Sequence, residues 1–242
     1  MIREAVILAG GLGTRLRPVV NELPKVMAPV NGKPFLHYII TTLEQQGITS
    51  VVLAVGYLKE SIMAWCDGRY PNLSICFAIE NSPLGTGGAI ANALHHCSND
   101  EVLLLNGDTY FELSYQDFLN FHQNQDSVCS LALKPMQDFD RYGCVVTDAQ
   151  HHITSFLEKS YRVIGLINAG VYLIDRKEFM RISWPEVFSF EKDDDSVRTV
   201  IEASSSILLH LIDRFFKTLQ EESPVAAYMA EGILKGVFSQ KN

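Results

Sequence analysis

The sequence predicts one α/β domain: a doubly wound, mostly parallel sheet, then antiparallel strands, then a helical tail. Three observations predict it. Short apolar runs alternate with helical patterns through about residue 125. The runs are continuously apolar, as in strands buried on both faces. Beyond residue 125, strand-like runs follow one another with little helix between them.

Ala5–Ala9 is the first such run. Pro34 opens a helical pattern through Phe35, Leu36, Ile39, Ile40 and Leu43, which Gly47 stops. Val51–Val55 and Ser74–Ile79 read as the second and third strands, Gly87–His96 as helix, and Glu101–Asn106 as a further buried strand. Val128–Lys134, Gly143–Thr147, Ile153–Glu158 and Ala169–Ile174 are the later strands, expected to extend the sheet and form a lid over it. The tail from Asp193 reads as one or two amphipathic helices. The chain has no Pro/Gly/Ser-rich linker, internal repeat or low-complexity segment.

Composition excludes several classes. With 47% apolar and 20% charged residues among 242, the chain is globular rather than disordered. The net charge of −8 argues against generic binding to nucleic acid or anionic membrane, which needs clustered positive charge. It leaves room for a small phosphorylated substrate in a local basic cleft. The five scattered cysteines form no CxxC or Cys/His cluster, so they read as core residues in a reducing compartment rather than zinc ligands. No stretch approaches a membrane span, and no signal peptide is legible. The expected location is the cytoplasm.

Leu8-Ala-Gly-Gly-Leu-Gly-Thr-Arg-Leu-Arg17 directly follows the first strand. Glycines let backbone N–H groups converge on an anion, and Arg15 and Arg17 add positive charge and bidentate donors. The loop reads as a triphosphate cradle. A dinucleotide fingerprint would need a third glycine where Leu16 stands, and a Walker loop would need Gly-Lys-Ser/Thr where Gly13-Thr14-Arg15 stands. A nicotinamide-dependent oxidoreductase is therefore disfavoured. Pro24 restricts the chain ahead of Lys25, which alone reads as a solvated surface lysine but beside such a loop can bridge two phosphates. Asp108 ends the run Leu103-Leu-Leu-Asn-Gly-Asp108 at a strand's carboxyl end, where α/β sheets bind ligands. A hard carboxylate there suits Mg²⁺, which takes oxygen ligands and substrate phosphates.

These motifs, with Gly32-Lys-Pro34, resemble the signature of the sugar-1-phosphate nucleotidyltransferases. The resemblance covers about residues 2–192 and is strongest to the heptose 1-phosphate guanylyltransferases and their mannose-1-phosphate relatives. It implies a Rossmann-like fold of the nucleotidyltransferase type over residues 1–192, with residues 193–242 as a helical tail atypical for the family. It implies transfer of a nucleotidyl group, GMP from GTP, to a sugar 1-phosphate with release of pyrophosphate. Arg15, Lys25 and Asp108 would be catalytic, with Asp108 on Mg²⁺. Leu8, Ala9, Gly10, Gly11, Gly13, Thr14, Glu80, Pro83, Gly85, Thr86 and Gly107 would hold the nucleotide. Glu80 is chemically suited to guanine, whose N1–H and N2 amino group are adjacent donors that one carboxylate accepts. The alternative for Glu80 is a solvated strand end. Gly143, Glu158, Lys159 and Asn168 would form the sugar-phosphate wall.

The nearest alternatives are a mannose- or glucose-1-phosphate enzyme using GTP, UTP, CTP or dTTP, and a nucleotide-binding relative with impaired catalysis. The family's late aromatic-Ile-Asp-x-Gly segment carries a second metal aspartate. Its nearest counterpart is Leu211-Ile-Asp-Arg-Phe215, which puts Arg214 beside Asp213 and has no glycine. Either Asp213 is not that ligand, or the tail from about Asp193 has been replaced, for example by a shifted reading frame. The expected partners are an NTP and a sugar 1-phosphate, with no nucleic acid or membrane, and with room for a homo-oligomer.

Overall fold

Apolar residues fill most of the first strand, β1 (Glu4–Leu8), and both of its faces are covered. The structure, a computed structural model, describes residues 1–11, 23–125 and 127–190. A 3₁₀ turn, Lys25–Met27, precedes a two-stranded ribbon of β2 (Pro29–Val30) and β3 (Lys33–Pro34). Helix α1 (Phe35–Gln45) buries Phe35, Leu36, Ile39, Ile40 and Leu43, the stripe that the sequence spacing predicts. Then come β4 (Ser50–Val55), α2 (Lys59–Cys66), β5 (Ser74–Ile79), α3 (Gly85–Leu94), β6 (Glu101–Asn106) and α4 (Tyr115–Gln125). The chain continues through β7 (Cys129–Phe139), β8 (Cys144–Thr147), β9 (Ile153–Leu157), β10 (Arg162–Asp175) and α5 (Arg176–Arg181).

The main sheet is mixed, in the order β5-β4-β1-β6-β10-β8-β9, with β7 on β10. Strands β5, β4, β1 and β6 are parallel. Strand β10 is antiparallel to β6, β7 and β8, and β8 to β9. Alternate residues of the parallel strands face opposite layers. Ala5, Ile7, Val51, Leu53, Leu103 and Leu105 pack with α1, α2 and α4. Val6, Val52, Ala54, Val102 and Leu104 pack with Ile90, Ala93 and Leu94 of α3 and Phe179 of α5. The sheet is thus wound on both faces, as the apolar runs predict.

Two later strands run further than the sequence suggests. Strand β7 continues past Lys134 through Pro135 to Phe139, and β10 begins at Arg162 rather than Ala169. These extensions pair with each other, Arg162 opposite Phe139 and Leu166 opposite Pro135. Their outer part is exposed, with Val163 and Ile164 facing solvent, so no buried apolar run marks it. With β8 and β9 they make a lid with its own small core of Phe139, Cys144 and Ile167. The two halves of β10 meet at a register shift between Asn168 and Tyr172. Gly170 sits there at φ +72°, a conformation that few L side chains adopt. Helix α3 starts at Gly85, two residues before the predicted start.

The five cysteines are unpaired thiols, four of them buried. Burial pushes the Cys97 and Cys129 thiols up to about 12. No helix among the described residues is long and apolar enough to cross a membrane. Glu4 is a buried carboxylate that accepts the amide of Ser98 at 2.8 Å and so ties β1 to the turn before β6.

His122 of α4 is buried against β7. Its Nδ1 lies 2.8 Å from the Ser130 hydroxyl, and Ser127 bridges at 3.1 Å from that hydroxyl. Burial lowers its pKa, and the charges of Asp175 and Glu101 oppose the shift. The folded state therefore holds the imidazole neutral to lower pH than the unfolded chain, which takes up a proton as pH falls through 6.5. Stability from this group is fully present above that pH and falls below it. The melting temperature should drop between about pH 7.5 and 5.5, and less steeply in His122→Gln. Parallel pH profiles of the two proteins would refute the assignment.

Candidate functional site

The parallel strands end together, and the site residues lie just beyond their carboxyl ends. Leu8 stands between Ala54 and Asn106 in the ladder. One residue on, the Ala9 amide donates to the Ala54 carbonyl at 2.8 Å, and the Gly107 amide donates to the Leu8 carbonyl at 2.9 Å. The Glu80 amide likewise extends β5 by donating to Val55 at 2.8 Å. Four strand ends, β5, β4, β1 and β6, are thereby locked side by side, and Gly10-Gly11, Glu80 and Gly107-Asp108 emerge from three of them.

Glu80 is not a solvated strand end. It is half-buried, and a Cβ at Gly10 would lie 2.8 Å from its Oε1. Its Oε2 accepts the Leu84 amide at 3.3 Å. Burial pushes its carboxyl above the ordinary range, and the Leu84 amide pulls it partly back. Gly10 lacks a side chain where this carboxylate needs the space. Among the described residues, nothing lies within 4 Å of a Cβ added at Gly11.

On the other flank, Pro24 (φ −57°, ψ 148°) leads into the 3₁₀ turn, whose bonds from Met27 to Pro24 and from Ala28 to Lys25 set the backbone of Lys25. Its ammonium forms an ion pair with Asp108 Oδ2, each side chain about 40% exposed. The two residues are 83 positions apart. The Thr109 hydroxyl donates to Asp108 Oδ1 at 3.3 Å. A partly exposed carboxylate and a partly exposed lysine therefore meet beside the Leu8–Gly107 strand ends.

Asn168 lies at the bend of β10. Its carbonyl oxygen accepts the Gly170 amide at 2.7 Å, and its amide donates to the Tyr172 hydroxyl at 2.6 Å. Gly170 packs on Asn106 and Thr109, which brings the bend next to the Asp108 turn. Gly143 precedes β8, where a Cβ would meet the Leu157 carbonyl at 2.9 Å, so strand packing already demands glycine there. Glu158 and Lys159 follow β9 and are exposed. Pro83, Gly85 and Thr86 are exposed around the start of α3. Gly13, Thr14, Arg15, Arg17 and the tail from Asp193, Asp213 included, lie outside the described residues.

Sequence reasoning missed Leu84 and the segment Glu186–Phe190, which contacts the Gly85–Gly88 turn. Nothing local marks that segment, because its partners lie about a hundred residues upstream. Among the described residues, no three His, Cys, Asp or Glu side chains cluster as a metal cage. One exposed carboxylate is still a sufficient protein contribution for Mg²⁺, which commonly takes one or two carboxylates plus substrate phosphates.

The fold is that of a nucleotidyl transferase, and the chain belongs to that family, whose model matches residues 4–206. It is 47% identical over 190 residues to the D-glycero-alpha-D-manno-heptose 1-phosphate guanylyltransferase of Aneurinibacillus thermoaerophilus, covering 78% of this chain and 82% of that protein. It is 46% identical over 189 residues to the enzyme of the same name from Campylobacter jejuni, covering 78% and 83%. Among solved structures it is similar to HddC from Yersinia pseudotuberculosis complexed with GMP-PN. The TM-score there is 0.77 and the identity 32%, over 92% of this chain and 100% of that one.

Proposed function

We propose that this chain transfers GMP from GTP to D-glycero-α-D-manno-heptose 1-phosphate. A phosphate oxygen of the sugar attacks the α-phosphorus of GTP, the bond to the β-phosphate oxygen breaks, and pyrophosphate leaves. The attacking oxygen is already ionised near neutral pH, since a phosphate monoester's second pKa is about 6. No general base is required. The protein aligns the two phosphates and neutralises charge that grows on the α-phosphate and the leaving group.

The observation that carries this reading is Glu80 lodged against Gly10, on the same sheet end as the Lys25–Asp108 pair. A carboxylate at a glycine phosphate loop suits guanine's paired donors. Lys25 would bind the phosphates, joined by Arg15 and the amides of Gly10, Gly11, Gly13 and Thr14. Leu8, Ala9 and Gly107 would hold the loop in place, and Pro83, Gly85 and Thr86 would border the base. Asp108 would hold Mg²⁺, which when bound supplies positive charge to the triphosphate. Asn168, Gly143, Glu158 and Lys159 would face the sugar phosphate. The catalytic domain would span residues 1–192, and its compartment would be the cytoplasm. A second reading, binding without turnover, is favoured by Arg214 beside Asp213.

Pyrophosphate release with Mg²⁺, each of GTP, UTP, CTP and dTTP, and heptose, mannose and glucose 1-phosphates tests the proposal. The fastest turnover should be with GTP and the heptose substrate. Faster turnover with a pyrimidine nucleotide would overturn the base assignment. GTP binding without release would establish the second reading.

A further inference from the structure

The segment Glu186–Phe190 is stitched to the turn that starts α3. The Phe188 amide donates to the Leu84 carbonyl at 3.0 Å, and the Phe188 carbonyl accepts the amides of Gly87 at 3.0 Å and Gly88 at 3.4 Å. The Phe190 amide donates to the Thr86 hydroxyl at 2.8 Å. The Phe188 ring stacks on Trp184 at 5.0 Å and lies directly on Gly87, so a Cβ at Gly87 would collide with it. A Cβ at Gly88 would lie 2.5 Å from the Glu186 carbonyl, and one at Gly85, whose φ is +73°, would strike the Phe188 carbonyl. The Gly-Thr-Gly-Gly run thus admits a neighbouring backbone on this side, in place of an anion.

Leu84 connects that contact to the site. Phe188 holds its carbonyl, while its amide holds Glu80 Oε2 at 3.3 Å. A glutamate reads two adjacent donors more tightly when its carboxylate plane is already held, because a freely rotating side chain loses entropy on binding. The Leu84 amide supplies that restraint, and the restraint is only as firm as the turn that carries it.

We propose that Glu186–Phe190 is a specificity strap, with Phe188 as its positioning residue: through Leu84 it orients the Glu80 carboxylate toward both donors of guanine. This rests on the reading of Glu80 as the acceptor of the guanine edge. The strap's hydrogen bonds go to Leu84, Thr86, Gly87 and Gly88 rather than to Lys25 or Asp108, so its loss should spare the phosphate grip.

The discriminating ligand is ITP, whose hypoxanthine lacks the N2 amino group. Dissociation constants for GTP and ITP should differ roughly tenfold or more in the wild type, the worth of one hydrogen bond to a carboxylate. Phe188→Ala empties the stack, and Gly87→Ala displaces the ring while adding only a methyl group to the helix. Both variants should weaken GTP several-fold more than ITP, which offers Glu80 only the N1–H donor, and bring the ratio toward one. Glu80→Gln should collapse the same ratio. If Glu80→Gln collapses it while both strap variants keep the wild-type ratio, or weaken both nucleotides equally, the strap is overturned and the base reading stands. A wild-type ratio near one, or one unmoved by Glu80→Gln, removes the base reading and the strap with it.

Discussion

Asp108→Asn should lower kcat by roughly 10²–10³-fold and leave the melting temperature nearly unchanged. The two halves of this expectation have separate causes. The proposed role of Asp108 is electrostatic, and asparagine keeps the shape while removing the charge that would hold Mg²⁺. The folded protein, by contrast, gains little from this carboxylate. Its ion pair with Lys25 is about 40% exposed on both sides, and pairs of that kind contribute about 0–1 kcal/mol. Pyrophosphate release and thermal unfolding, measured on the same preparation, separate the two effects. Turnover within a few-fold of wild type would remove Asp108 from the catalytic set. A large loss of stability at intact turnover would make it a structural residue.

Gly107→Ala should damage both stability and turnover. A Cβ at this position would lie 2.5 Å from the Leu8 carbonyl and 2.7 Å from Val26 Cγ1. The carbonyl is backbone and accepts the Gly107 amide itself, so it moves only if the ends of β1 and β6 move apart. Such overpacking typically costs about 1–3 kcal/mol. That is a fall of several degrees in melting temperature at roughly 2–4 °C per kcal/mol for a chain of this size. Turnover should fall further than stability explains, because the same shift displaces Asp108, the Gly10-Gly11 loop and the Lys25 turn together. Gly11→Ala is the control. Its Cβ meets none of the described residues, so the melting temperature should hold while GTP affinity drops. Equal stability of Gly107→Ala and wild type would refute the close-approach account.

The candidate site is partly legible in the sequence. The glycine loop, Lys25 and Asp108 are readable because each sits in a local motif whose chemistry is short-range. Glu80 is readable as chemistry, but its burial is not, since that depends on Gly10 from a strand two places away in the sheet. Gly143 illustrates the opposite limit. It reads as a sugar contact by resemblance, yet the Leu157 carbonyl alone is reason enough for a glycine there.

The succession of the main-sheet strands, helices α1 and α3, the buried faces of α1 and β1, and the carboxyl-end position of Asp108 are determined by the sequence itself. Each follows from periodicity or from side-chain chemistry within a dozen residues. Tertiary structure alone decides that Lys25 meets Asp108, that β10 bends at Gly170 to build a lid, and that Phe188 secures the turn carrying Leu84. Those contacts join residues tens to a hundred positions apart, largely through backbone groups that every residue carries alike. No pattern of side chains along the chain encodes them, because only closure of the sheet brings the partners within hydrogen-bonding distance.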